Sequence, residues 1–340
     1  MKRADENLEK TGVTRENWID CLKFVACLLI TNSHCKEIYP VSFFAIGGGF
    51  GNAIFFALQG YLLVNIHSNF FRWYWSRLKR LLPAICVISL LDLLVNNDQA
   101  FYGATSILGF CELILNKYWF CKALLIYYVV YYVFIGFKIR DNINKLRRIK
   151  VASVLWLGGY MIYYLALVKN NVFFVELGGF SAFKVYFYFG VMLAGAYIRL
   201  QREKICHYLS LISNMRMAIF CGIGFGAVWA AEYACIMIWN QLLPMQMLIH
   251  VGVFGFTVIL ITVCMSSSSR FLKAAFISLI ANATLEIYLF QVCFEQIKHI
   301  GTFPINLFVF WGFAISGGIL IHELITFIQK MIGFVGEKSN

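Results

Sequence analysis

Long apolar segments alternate with short basic segments along almost the whole chain. A helix that crosses a bilayer needs roughly 20 mostly apolar residues, and only helices or closed barrels satisfy their backbone polar groups in lipid. The pattern therefore predicts an all-α, polytopic membrane protein with about ten transmembrane helices. The candidate spans are residues 19–38, 50–66, 81–95, 119–137, 151–168, 181–198, 217–239, 244–265, 275–297 and 305–328.

Composition and charge placement favour a lipid bilayer as partner over nucleic acid. Of the 340 residues, 61% are hydrophobic and 14% are charged, whereas soluble domains carry roughly 45–50% apolar and about 25% charged residues. The formal net charge of +12 comes from basic residues that lie between the apolar runs. No basic stripe interleaved with aromatic residues lies elsewhere, so we expect no nucleic-acid partner.

The eleven cysteines include no CxxC pair, and most lie inside apolar runs. Cysteines in such runs behave as small buried hydrophobic residues. The sequence therefore predicts neither a disulfide framework nor a metal site.

The basic segments predict the orientation in the membrane. Residues 72–80 and 138–150 are both too basic for the outer face, so an even number of crossings separates them. Spans 81–95 and 119–137 supply two crossings, which makes 99–117 a re-entrant or interfacial piece. Both termini are then cytoplasmic, and the inner segments hold 22 of the 29 Lys and Arg residues. The predicted parts are a cytoplasmic segment 1–18, a transmembrane domain 19–328 and a cytoplasmic tail 329–340.

The first span carries the most ionisable residues, and such groups inside a span are costly and hence functional candidates. Asp20 and Lys23 lie three residues apart, a spacing at which they would simply pair. His34 lies toward the outer end, with Glu37 three residues further on the same helical face. A carboxylate there would orient the imidazole as a general base, the alternative being a packing histidine. His250 and His322 are weaker candidates without matching neighbours.

A second group of candidates lies in the basic segment before Pro83, which we interpret as an inner loop. Arg77 and Arg80 form a double guanidinium suited to phosphate, and Arg72 and Lys79 add charge beside them. An ordinary positive-inside loop with interfacial aromatic residues is the alternative interpretation.

Six short blocks follow one another between about residue 15 and about residue 295. They are Arg15…Asp20-Cys-Leu-Lys23…His34, Phe55-Phe56-Ala-Leu-Gln59-Gly60-Tyr61-Leu62, Arg77-Leu-Lys-Arg80-Leu-Leu-Pro83, Tyr118-Trp119-Phe120, Tyr188-Phe189-Gly190-Val-Met-Leu-Ala-Gly195 and Thr284-Leu-Glu286-Ile287-Tyr288-Leu289. In this order they resemble the acyltransferase-3 family of membrane-bound O-acyltransferases, which includes enzymes that acetylate bacterial polysaccharides.

The resemblance implies transfer of an acyl group, commonly acetyl from cytoplasmic acetyl-CoA, to a hydroxyl of a cell-surface or lipid-linked carbohydrate. It places the essential histidine at His34 and the paired arginines at Arg77 and Arg80, and it implies a bacterial cytoplasmic membrane. His34 would deprotonate the hydroxyl or carry the acyl group, and the sequence does not choose. Homo-oligomerisation is also left open. The supporting residues by this resemblance are Arg15, Asp20, Lys23, Gln59, Tyr61, Trp119, Glu286 and Gln291.

Two positions depart from the family pattern. Gln59 stands where the family mostly has Ser, and Gln291 stands where His often follows the Ile-Tyr-Leu block. Both residues remain polar, so we expect the departures to affect which acceptor is used more than the type of reaction. The main alternative function is a transporter or flippase for a lipid-linked sugar, which predicts broken helices in two related halves. A membrane sensor or scaffold is the second alternative, and it gives no reason for a histidine–carboxylate pair opposite an arginine pair.

Overall fold

The computed structural model is predominantly helical, with no β-strand among the residues it describes. The all-α prediction is therefore confirmed. The described residues are 16–66, 68–96, 117–136, 139, 141–169, 182–210, 214–237, 246–266 and 275–338. The predicted re-entrant segment 99–117 lies outside these ranges apart from Lys117.

Twelve α-helices are described in these ranges, together with short 3₁₀ turns at Ser42–Ala45 and Glu295–His299 and a π-helical turn at Tyr132–Gly136. The helices are α1 Asn17–Ser33, α2 Gly48–Leu63, α3 Phe70–Asn96, α4 Trp119–Tyr131, α5 Asn142–Lys169, α6 Ala182–Leu200, α7 Arg202–Ser210, α8 Asn214–Met237, α9 Gln246–Ser266, α10 Ala275–Asn282, α11 Thr284–Cys293 and α12 Ile305–Lys338.

Each of the ten predicted spans overlaps helix, but fewer pass a test of length and hydropathy. The five described stretches that pass are Ser42–Leu63, Trp119–Gly136, Asn142–Lys169, Met247–Ser266 and Ile305–Met331. A sixth arises if α10 and α11, which are bent by 62°, count as one broken span. The structure thus supports a membrane protein, while the number ten and the cytoplasmic side of the termini stay predictions.

The basic segment predicted as an inner loop is helical, which corrects that interpretation. It forms the first turns of α3, and the helix continues through Pro83. At the start of the helix, Asn69 Oδ1 accepts a hydrogen bond from the backbone N–H of Arg72 at 3.1 Å. Trp73 is 3% exposed and packs on aromatic side chains of α4 and its π-helical turn. Aromatic burial on one face therefore keeps these charged residues helical.

Helices α2 and α6 pack closely in the core because glycines let their backbones touch. A Cβ atom at Gly60 would collide with the carbonyl of Met192, and one at Gly195 would collide with the carbonyl of Ala57. Small residues at helix interfaces serve this purpose in membrane proteins, where close backbone packing drives association. Both glycines belong to the sequence blocks noted above, so these blocks have a packing role.

Gly195→Ala is expected to destabilise the protein by about 1–3 kcal/mol, because the new methyl group forces two helix backbones apart. The measurement is the thermal unfolding midpoint of the detergent-solubilised protein. Gly222→Ala is the matched control, since a Cβ atom there meets nothing within 4 Å. Equal midpoints for the two variants would contradict the assigned packing role of Gly195.

Candidate active site

A cavity of about 1030 Å³ opens between α1, α2, α3, α4, α10, α11 and α12. Four cationic side chains line it, namely Lys23, Arg77, Lys79 and Arg80. Much of the remaining wall is apolar or aromatic, formed by residues such as Phe55, Phe120, Leu124 and Tyr288. The end of the bundle that carries these cations is called the basic end below. A cavity with a cationic mouth and an apolar interior suits a ligand with an anionic head and a neutral arm.

The two arginines predicted from sequence lie together at the mouth of this cavity. Arg77 lies over the ring of Trp73, 5.7 Å from its centroid, and Lys79 lies 5.8 Å from the centroid of Trp75. Within the described part of the chain, neither Arg77 nor Arg80 forms an ion pair with a carboxylate. Two neighbouring guanidinium groups without a counter-charge are suited to binding phosphate. Arg72 is exposed and does not line the cavity.

A histidine–carboxylate pair lies inside the same cavity. The Nδ1 atom of His322 is 3.1 Å from the Oε1 atom of Glu286, and both residues line the cavity. Gly317 and Gly318 explain the contact, because side chains there would collide with Phe290 and Ile287 of α11. The close approach of α12 to α11 brings His322, one turn beyond Gly318, against Glu286. Spacing within a single helix does not predict this pair, because the two residues are 36 positions apart.

His34 lies at the other end of α1, eleven residues beyond Lys23, a separation of about 16 Å along a helix axis. Its Nδ1 atom is 3.5 Å from Glu295 Oε1, and Lys298 Nζ contacts the same oxygen at 3.1 Å. Glu295 therefore lies between an imidazole and an ammonium group, a setting that favours its carboxylate form.

The predicted pairing of His34 with Glu37 is wrong in its geometry. Helix α1 ends at Ser33, so His34 caps it, and Glu37 follows in a turn instead of lying on the same helical face. The side chain of Asn32 stabilises this turn, because its Oδ1 atom accepts a hydrogen bond from the Tyr39 hydroxyl at 2.8 Å. Glu37 instead faces His299, with 4.0 Å between Oε2 and Nε2.

The cavity and His34 are placed in line along α1. Ile30 lines the cavity, and His34 follows it by one helical turn. His34 itself is not among the lining residues, and its side chain is 27% exposed. A ligand arm that enters from the arginines and follows α1 would therefore end near His34.

Some predicted supporting residues line the cavity, and others are buried in the helix bundle. Lys23 and Gln59 line it directly. Asp20 is buried at 5% exposure and accepts a hydrogen bond from Ser278 at 3.5 Å. Gln291 is 1% exposed, and neither of its amide atoms has a hydrogen-bond partner among the described residues. These residues are polar groups that the bundle buries at a cost, as expected near a site.

Trp119 and Tyr61 lie elsewhere and bind basic residues of α6. Lys184 Nζ lies 3.5 Å from the centroid of the Trp119 ring, in a buried cation–π contact. Arg199 donates to the Tyr61 hydroxyl at 2.9 Å and to Glu16 Oε1 at 3.0 Å. The two sequence blocks that contain Tyr61 and Trp119 therefore have a structural role. Arg15 lies outside the described residues.

Glu16, which the sequence interpretation passed over, is the centre of this second cluster. It accepts hydrogen bonds from Trp18 Nε1 at 2.6 Å and from Arg202 at 2.7 Å, besides the one from Arg199. Burial raises the pKa of the Glu16 carboxyl, but the Trp18 hydrogen bond and the two arginines outweigh it and lower the pKa below its ordinary value. The cluster ties the start of α1 to α6 and α7.

Comparison with known proteins identifies the family of the chain. Neither the curated proteins nor the solved structures give a match to the chain. The family model described as an acyltransferase domain, that of the acyltransferase-3 family, matches residues 16–325. This range contains most of the residues that line the arginine-lined cavity, the Glu286–His322 pair and His34. With nearly its whole length matched, the chain belongs to the acyltransferase-3 family and is a membrane acyltransferase.

Proposed function

We propose that the chain moves an acyl group, acetyl in the simplest case, from acyl-CoA to a hydroxyl of a cell-surface or lipid-linked carbohydrate. The observation that carries the proposal is the cavity lined by Arg77 and Arg80, which have no carboxylate partner among the described residues, and by Ile30, one turn short of His34. CoA has phosphates at one end and its thioester at the other, joined by a pantetheine arm. The phosphates would bind the arginines, and the arm would bring the thioester toward His34.

The reaction needs one group that moves a proton. His34 Nδ1 faces the ionised Glu295, which leaves Nε2 to accept the proton of the carbohydrate hydroxyl. The hydroxyl oxygen attacks the thioester carbonyl carbon, an ester C–O bond forms, and the C–S bond to CoA breaks. The imidazolium then returns its proton to the CoA thiolate. Glu295 stabilises the charged imidazole while it holds that proton.

Orientation follows from the same proposal. The basic end, with Arg77, Lys79 and Arg80, would face the cytoplasm, where acyl-CoA is available, as the positive-inside pattern predicts. His34 would then act at the outer side of a bacterial cytoplasmic membrane, on a glycan that is built or displayed there.

The test is an assay with purified protein in detergent, labelled acetyl-CoA and membrane glycans of the source cell. Release of the CoA thiol together with label in the carbohydrate is the expected result. The alternative, a flippase for a lipid-linked sugar, draws some support from the one broken helix pair, α10 and α11, in the described residues. Movement of the sugar across proteoliposomes without any acyl-CoA would favour it.

Glu295→Gln is expected to lower kcat by about 10- to 100-fold, the effect of losing a charged hydrogen bond of about 1.5–3 kcal/mol. KM for acyl-CoA should not change, because Glu295 is remote from the cationic mouth of the cavity. Steady-state kinetics of the reconstituted enzyme measure both constants. Glu37→Gln is the matched comparison, since Glu37 is 68% exposed and faces His299. A larger loss for Glu37→Gln would return the carboxylate role to Glu37.

A further inference from the structure

The wall of the donor cavity carries one buried acid that the proposed chemistry does not use. Glu286 is 6% exposed, and only one of its carboxylate oxygens is bonded, to His322. The other oxygen, Oε2, is buried and has no hydrogen-bond partner in the described part of the chain. Leaving a buried acceptor unsatisfied costs about 1–3 kcal/mol, and more when the group is charged. The oxygen is therefore suited to a donor that arrives with a ligand.

The ligand that satisfies Glu286 must bring an N–H or O–H group into the cavity. The lining combines apolar side chains such as Phe55, Phe120 and Leu124 with polar ones such as Gln59 and Thr284. A ligand with phosphates at Arg77 and Arg80 and a hydrocarbon tail would offer no donor at this depth. A pantetheine arm offers two amide N–H groups and one hydroxyl.

We propose that Glu286 and His322 bind the amide and hydroxyl groups of the pantetheine arm, and so select a CoA thioester over an acyl donor with a purely hydrocarbon arm. Glu286 Oε2 accepts an amide N–H, and the imidazole of His322, held at Nδ1, presents Nε2 to the arm. The pair holds the arm along α1, so that the thioester lies beyond Ile30 and near His34. This inference rests on the proposed function and gives the pair a positioning role, not a catalytic one.

The test compares two ligands that share phosphates but differ in the arm. CoA carries the pantetheine arm, and adenosine 3′,5′-bisphosphate keeps the nucleotide end without it. Dissociation constants of both are measured by calorimetry for the wild-type protein, Glu286→Gln and His322→Leu. Each variant should weaken CoA binding by about 10- to 100-fold and leave the bisphosphate unchanged. Arg77→Ala/Arg80→Ala should weaken both ligands.

Glu323→Gln is the matched control, because Glu323 follows His322 on α12 but is exposed and does not line the cavity. Unchanged CoA affinity in Glu286→Gln would overturn the inference. So would equal weakening of both ligands, which would indicate that the pair only holds α11 against α12. Wild-type protein that binds neither ligand would overturn the proposed function itself, before any variant is compared.

Discussion

Replacing His34 by alanine is expected to lower the rate of acyl transfer by about 10²- to 10⁴-fold, the usual contribution of a positioned general base. Acyl-CoA binding should persist, because His34 lies about 16 Å along α1 from Lys23, one of the basic residues that line the cavity. The measurement is kcat in the labelled-acetate assay, with CoA affinity measured on the same preparation.

His299→Ala is the control for this experiment. His299 lies at the same end of the bundle, is 73% exposed and faces Glu37, not Glu295. It should retain the wild-type rate. If His34→Ala is folded and binds CoA but also transfers acyl groups at the wild-type rate, the assignment of His34 as base is wrong.

Removing both cavity arginines, in Arg77→Ala/Arg80→Ala, is expected to raise KM for acyl-CoA by about 10²-fold or more. Each guanidinium–phosphate hydrogen bond is worth about 1.5–3 kcal/mol. Among the described residues no carboxylate pairs with these arginines, so no protein group competes with the phosphates for them. The rate at saturating acyl-CoA should change much less, because the arginines lie far from His34. Affinity for CoA should also lose much of its dependence on salt.

Arg147→Ala/Arg148→Ala removes the same charge from an exposed arginine pair on α5. These residues line a separate cleft with Asp141 and Asn144. The control should therefore bind acyl-CoA normally. An equal rise of KM in both double variants would show that general positive charge, not a site at Arg77 and Arg80, attracts the donor.

Features that depend on spacing within one helix were predictable from the sequence. Hydropathy located helix in all ten predicted spans, because lipid burial constrains long apolar runs strongly. Arg77 and Arg80 share a face of α3 because they are three residues apart on a continuous helix. The charged run before Pro83 favours a loop by sequence alone. The structure is helical there because Trp73 of the same segment is buried on one face of α3.

Contacts between distant segments could not be predicted in the same way. The Glu37 pairing assumed a helix that continues to residue 38, whereas side-chain hydrogen bonds of Asn32 fold the chain into a turn directly after Ser33. Glu295, which takes the place beside His34, comes from the opposite end of the chain. Glu286 and His322 are 36 residues apart and meet only because glycines of α12 admit α11. A polar residue in an apolar run indicates that a contact of this kind exists, but the sequence does not show which distant residue is the partner.

Sealed vesicles with the basic end facing outward provide the most direct test of a donor site at the arginines and a transfer site at His34. Labelled acetyl-CoA is added outside, where Arg77 and Arg80 are accessible, and the glycan acceptor is enclosed. The account predicts that label enters the enclosed carbohydrate in wild-type vesicles and is lost in His34→Ala and in Arg77→Ala/Arg80→Ala. Label that enters equally in His34→Ala vesicles, or carbohydrate that leaves the vesicles without acyl-CoA, would contradict it.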